Sequence, residues 1–119
     1  MIKAVSLAIL LLAATLALLA AQESGAFVTG IEDLPLMDGL VEDPAAGLVF
    51  DKPEGRIVEA HAAGVVNLSE VRAFYAATLG QLGWQLAGNG DYQREDESLR
   101  ITISDTDGAV TVQFSLSPN

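Results

Sequence analysis

One imidazole, a carboxylate-rich turn and a scatter of hydroxyls are the side chains whose types and spacing could do chemistry in this chain. His61 is the single His. Glu59, two positions earlier, shares its face if the segment is extended, so the pair has the composition of a general base and its orienting acid. An ordinary half-buried strand has the same composition. Catalysis would require further carboxylates to meet His61 in a concave site, and a flat, exposed strand would dispose of it. Residues 105–108, Asp-Thr-Asp-Gly, open like a calcium loop, in which a hard cation collects oxygens. The later ligands are absent, with Ser and Leu around Leu116 where a bidentate Glu belongs, and a hairpin turn explains the same four residues. Asp91, Glu95, Asp96 and Glu97 surround Arg94. Paired carboxylates hydrolyse glycosides only when a cleft spaces them, and a solvated hairpin tip accounts for the cluster without one. Ser69, Ser98 and Ser104 have no His and acid around them, no G-x-S-x-G elbow is present, and no Gly-rich phosphate loop follows a strand. No catalytic, cofactor-binding or metal-ligating residue is therefore assigned, and the chain reads as non-enzymatic.

Composition narrows the classes further. The chain has 119 residues, 16 of them acidic and 6 basic, for a net charge of −10. That length holds one small domain. A charge of this sign repels phosphate backbones, and the bases are scattered, so nucleic acid is excluded as a partner. The absence of Cys removes disulfides, thiolate metal sites and thiol nucleophiles.

Hydrophobicity is concentrated at the front. Ala4 to Ala21 runs 18 positions with only Ser6 and Thr15 interrupting, and Lys3 precedes it. A positive charge, an apolar core and small residues in that order form a secretory signal peptide, here residues 1–26. Ser24 and Ala26 place small side chains at the two positions a signal peptidase reads, so cleavage is expected after Ala26. The alternative is an uncleaved inner-membrane anchor, since 18 residues is near the lower limit for a span. A membrane is a partner only in that case. A lipid anchor is excluded by the missing Cys. Residues 1–26 hold one base, Lys3, and one acid, Glu23, so their removal leaves the charge at −10. The expected location is the periplasm or the exterior.

Residues 27–55 form an acidic arm punctuated by Pro35, Pro44 and Pro53, which exclude a regular helix. Ile31, Leu34, Leu36, Met37, Leu40, Leu48, Val49 and Phe50 recur through it, unlike a disordered linker. The arm is expected to lie on the domain, with a short strand at Leu48 to Phe50 and a turn over Asp51 to Gly55. Its apolar residues could cover an edge or open face of the sheet. Alternatively Leu34, Leu36, Met37 and Leu40 could dock on a partner.

Residues 56–119 read as a small α+β domain. Arg56 to Val66 is one extended strand, with Gly64 marking a bulge. Asn67 is an N-cap, Glu70 completes a capping box, and Val66 with Val71 makes a hydrophobic staple. Val71, Phe74, Tyr75, Thr78, Leu79 and Leu82 recur at helical intervals, and Gly83 supplies the stop. Gly80 weakens the last turn by about 1 kcal/mol relative to Ala. Asp107-Gly108 then sets a type I′ hairpin that pairs Ile103 with Val112, Ile101 with Phe114 and Leu99 with Leu116. A second reversal over Glu95 to Ser98 brings Tyr92 opposite Ile101 and Arg94 opposite Leu99. A further strand starts at Trp84 to Leu86. The expected architecture is one helix packed on a small antiparallel sheet, in β-β-α-β-β-β order, with three or four strands in the closing meander.

Val71, Phe74, Tyr75, Leu79, Leu82, Gly83 and Trp84, followed by Tyr92, Arg94, Leu99 and Ile101, resemble small exported bacterial α+β proteins of unknown function. In those a phrase of the form V..FY...L.QLGW precedes a β-meander. The resemblance covers residues 56–118 and departs at Gly80, where a proline is common. It implies a bacterial envelope setting and a fold, and transfers no functional residue. The leading expectation is a non-enzymatic interaction or accessory module whose partner is another envelope protein. The rival is a small-molecule or lipid binder using a pocket between helix and sheet that Trp84 and Tyr75 could line. Such a binder would show a continuous apolar cavity lined by Phe74, Trp84 or their neighbours, whereas a densely packed core would count against it.

Overall fold

The computed structural model describes residues 26–119. All of the expected export segment except Ala26 lies outside these residues. Among them, no helix is long and apolar enough to cross a membrane.

The described residues form a small α+β fold built on an antiparallel sheet with one α-helix. Strands β1 (Val41–Glu42), β2 (Leu48–Lys52) and β3 (Gly55–Gly64) precede helix α1 (Leu68–Gln81), and β4 (Gln85–Gly88), β5 (Asp91–Arg94), β6 (Glu97–Thr106) and β7 (Ala109–Pro118) follow it. The order is thus β-β-β-α-β-β-β-β, with one more strand before the helix than expected and four after it. The added strand before the helix is β1, whose two residues are too few for any alternation to show in the sequence. After the helix, the Gly88 to Gly90 turn separates β4 from β5, so the meander takes the longer of its two expected lengths.

In space the strands run β1-β3-β7-β6-β5-β4, with β2 also on β3. β1 and β2 share one side of β3: Val41 pairs with Ala63, and Leu48 to Lys52 pair with Glu59 to Gly55. Between them, a 3-10 turn at Pro44–Ala46 is capped by the Asp43 side chain, which accepts from Ala45 N at 3.1 Å. The last strand, β7, enters the middle of the sheet between β3 and β6. Helix α1 therefore links β3 to the far edge at β4.

Local chemistry sets the helix ends. Asn67 Oδ1 accepts from Glu70 N at 3.1 Å. At the other end Gly83 adopts φ +88°, and Trp84 N donates to Leu79 O at 2.9 Å while Gly83 N donates to Gly80 O at 3.2 Å. These two bonds form a Schellman stop, which needs a left-handed residue that only Gly adopts without strain. Gly64 does not form a bulge. It ends β3 against the Gly39 carbonyl, which leaves no room for a Cβ.

The Asp107-Gly108 hairpin has the expected register, with Leu99, Ile101 and Ile103 opposite Leu116, Phe114 and Val112. Both turn residues have positive φ, 55° and 79°, as a type I′ turn requires. The second hairpin differs. Tyr92 pairs with Leu99 and Arg94 with Glu97, because the chain reverses in the two residues Glu95-Asp96, with Glu95 at φ 55°. A slip of two keeps every side chain on its face, so Tyr92 still points to the helix side.

The core fills the space between α1, the arm and one face of the sheet. Val58, Ala60 and Ala62 of β3 and Val110, Val112, Phe114 and Leu116 of β7 are buried beneath Val71, Tyr75 and Leu79 of α1. Val28, Ile31, Leu34 and Leu40 of the arm are buried with them, so the arm is built into the core. The opposite face carries Glu59 and His61 of β3, the hydroxyls and amides Thr111, Gln113, Ser115 and Ser117 of β7, and Ser98, Arg100, Thr102 and Ser104 of β6.

Candidate functional site

Each chemistry-bearing residue can now be placed. His61 and Glu59 both lie on the face away from the helix, in the middle of a regular strand pairing with Gln113 and Ser115. Glu59 accepts hydrogen bonds from Gln113 and Ser115 and so serves the sheet. His61 lines an open cleft of about 300 Å³ whose other walls include Val41, Asp43, Thr102, Ser104 and Gln113. No hydrogen bond joins it to a carboxylate among the described residues. Asp105 and Asp107 belong to the tight hairpin. No group of three or more His, Cys, Asp or Glu that could hold a metal ion occurs among the described residues.

The acidic cluster is divided among arginines. Asp91 takes Arg100, whose Nε donates to Oδ1 at 2.7 Å and whose Nη2 donates to Oδ2 at 3.2 Å. That carboxylate raises the Arg100 pKa. Glu97 takes Arg56 at 3.1 Å. Arg56 also reaches the arm, donating to Gly30 O at 2.7 Å and to Glu32 at 3.4 Å. Its pKa is raised by the hydrogen bond to Glu97, against some desolvation. Arg94 donates to Asp33 at 2.7 Å and to Leu82 O at 3.0 Å, with its guanidinium 4.4 Å from the Trp84 ring centroid. Two arginines thus fasten the arm through Glu32 and Asp33. The acidic cluster contributes clamps and turn residues, and no cleft holds its carboxylates together.

Tyr75 is the third fastening. Its hydroxyl donates to Pro35 O at 3.0 Å and accepts from Met37 N at 3.1 Å. Burial pushes its pKa up to about 12, partly offset by the Met37 N–H. Its ring makes edge contacts with Phe74 at 4.9 Å and Phe114 at 5.3 Å between centroids. Trp84 is buried, and its Nε1 has no hydrogen-bond partner.

Of four open clefts on the surface of the described residues, none is lined by Phe74 or Trp84, but Tyr75, the neighbour of Phe74, lines one of them between helix and sheet. The largest, about 610 Å³, runs between α1 and β6, with Arg72, Tyr75, Tyr92, Ile101 and Ile103 among its walls. It is a half-open groove whose walls also include Arg100, Asn89 and Thr102.

The feature that the sequence did not single out is an edge. Among the described residues β2 has no strand partner other than β3. On it, Leu48, Val49 and Phe50 retain 53%, 52% and 51% of their surface, and Val41 of β1 retains 73%. Leu48 and Phe50 share the face of Glu59 and Ile57, whereas Val49 turns to the helix side beside Gly30. Three consecutive apolar residues in a strand must occupy both faces, and that run was the signal in the sequence. By contrast, Leu34 and Leu40 are committed to the core, and Leu36 and Met37 pack against it. The arm's exposed apolar residues are therefore Val41, Leu48, Val49 and Phe50, while the four expected to be available to a partner pack in or against the core.

No family model matches the chain, and no curated protein or solved structure is similar to it.

Proposed function

We propose that the protein is a non-enzymatic interaction module of the bacterial envelope, exported by residues 1–26, that docks on another envelope protein through the β1–β2 edge. The observation that carries this reading is the run Leu48-Val49-Phe50, half-exposed on a strand with no outer neighbour among the described residues. An edge strand presents unpaired N–H and C=O groups, and natural sheets blunt such edges with charge, Pro or a covering segment. Here Asp51, Lys52 and Pro53 blunt one end of it, while the apolar run Leu48 to Phe50 that would make it adhesive is kept. Strand addition uses both features: backbone hydrogen bonds supply affinity and alternate side chains supply selectivity.

A photo-crosslinking residue placed at Phe50 in the native host tests this. One defined envelope protein should be captured from Phe50 and lost from a control position at Asp105, on the opposite hairpin. Equal capture from both positions, or none from Phe50, would overturn the reading. The N-terminus of the recovered protein, read by mass spectrometry, should be Phe27. Retention of Lys3 and the apolar tract in the membrane fraction would make the module a tethered one.

A further inference from the structure

We infer that the occupant of the β2 edge is an extended segment alternating apolar and basic residues; this rests on the strand-addition reading above and deepens it. The sheet dictates the alternation. Directly paired residues share a face, so Leu48, Phe50 and Val41 lie with Glu59, Ile57 and Ala63 on the face away from the helix. Asp51 and Glu42 lie with Arg56 and Ala62 on the helix side. A strand added outside β2 presents its side chains to these two faces in turn. On the face away from the helix it meets Leu48 and Phe50, so apolar residues belong there.

On the helix side it meets carboxylates. Arg56 is the cation on that side of β3, and it is taken by Glu97 and Glu32. Asp51, Glu54 and Glu42 are in no ion pair among the described residues. Glu32 keeps 86% of its side-chain surface despite its contact with Arg56. An incoming Lys or Arg therefore finds unneutralised carboxylates beside Val49, and an incoming Asp or Glu finds like charge. The same electrostatics disfavour a second copy, because pairing two β2 edges brings together two chains that each carry a net charge of −10.

The test uses the protein as the host processes it, isotopically labelled, with three synthetic peptides. One alternates Lys and Leu, its twin alternates Glu and Leu, and a third has the first peptide's composition with the Lys residues grouped in a block. The alternating basic peptide should slow hydrogen exchange of the β2 amides, and the acidic twin should bind at least about tenfold more weakly. Raising the salt concentration should weaken the basic peptide, and Asp51→Lys, an exposed substitution, should reverse the order of the two alternating peptides. Equal protection by the basic and acidic peptides would overturn the charge assignment while leaving strand addition standing. Equal binding of the block peptide would overturn the alternation. Failure of every peptide to protect β2 would overturn strand addition and this inference together. Protection in the absence of peptide that grows with protein concentration would overturn this inference while leaving strand addition standing, since the occupant would then be a second copy.

Discussion

The two sides of β3 differ in what they face. Toward β7 and the helix, Val58, Ala60 and Ala62 are buried to within a few per cent of completely, and Val110, Val112, Phe114 and Leu116 of β7 are buried with them. Toward β2, apolar residues of the same kind remain half in water. The contrast is not one of composition, since Leu, Val and Phe serve both regions. It arises from topology: β7 enters the sheet between β3 and β6 and closes one side, and the arm closes the face above it. Among the described residues no strand is placed outside β2. Apolar residues that the fold does not need for burial are then free for association, and their substitution separates the two regions experimentally.

The largest difference is expected at the two phenylalanines. Phe114 is fully buried against Tyr75, so Phe114→Ala should cost about 3–5 kcal/mol by leaving a cavity. Phe50→Ala exposes a residue already half in water and should cost well under half as much. Urea denaturation of the two variants checks this, and similar losses would erase the contrast between the two sides of β3.

Tyr75→Phe comes next, because it keeps the ring in the core and removes the tie to the arm. Pro35 O and Met37 N lose their partner, at a cost of about 1–3 kcal/mol. The wild-type protein should also weaken in alkali. The folded pKa of Tyr75 is raised to about 12 from an ordinary value of 10.0, so its neutral form contributes stability that is fully present below pH 10.0. That contribution, on the order of 2–3 kcal/mol, is lost as the pH rises from 10.0 to about 12. Denaturation followed across that window should lose its alkaline fall in Tyr75→Phe, and a fall that persists would assign it to another group.

Such differences show what could be read from the chain alone. Local signals were legible: Asp107-Gly108 fixed ten paired positions of β6 and β7, and Asn67 with Gly83 bounded the helix. The Glu95-Asp96 turn was misjudged by two residues, because a Glu at positive φ has no sequence signature comparable to Asp-Gly. Long-range placement was less legible. Leu34 and Leu40 follow no helical or strand period, so their burial depends on Tyr75, Arg56 and Arg94 catching the arm. The run at Leu48 marked a strand, but its edge position follows from β7 entering the sheet centrally, which no local pattern encodes.

Gly80→Ala tests whether the closed side has stability in reserve. Gly80 sits on the exposed face of α1 near its end, and nothing lies within 4 Å of where a Cβ would stand. Ala should therefore raise stability by about 0.5–1 kcal/mol through helix propensity, read as a higher melting temperature. A loss would mean that the last turn has to fray, placing flexibility beside the Trp84 stop.

The smallest effect on stability, and the most informative about the edge, is expected from Phe50→Thr. Thr retains a β-branched side chain suited to an edge strand, so the pairing with Ile57 should survive. The half of the ring that is buried is modest, and the change in folding free energy should stay within about 1 kcal/mol. Crosslinking at Leu48 in the same variant should nevertheless fall, because the apolar stripe offered to an added strand has lost its larger member. The two readouts divide the meanings of an exposed apolar edge. Lost stability with capture intact would make Phe50 a structural residue and return the edge to the domain's own packing. Unchanged stability with capture lost is what a surface held open for a partner requires.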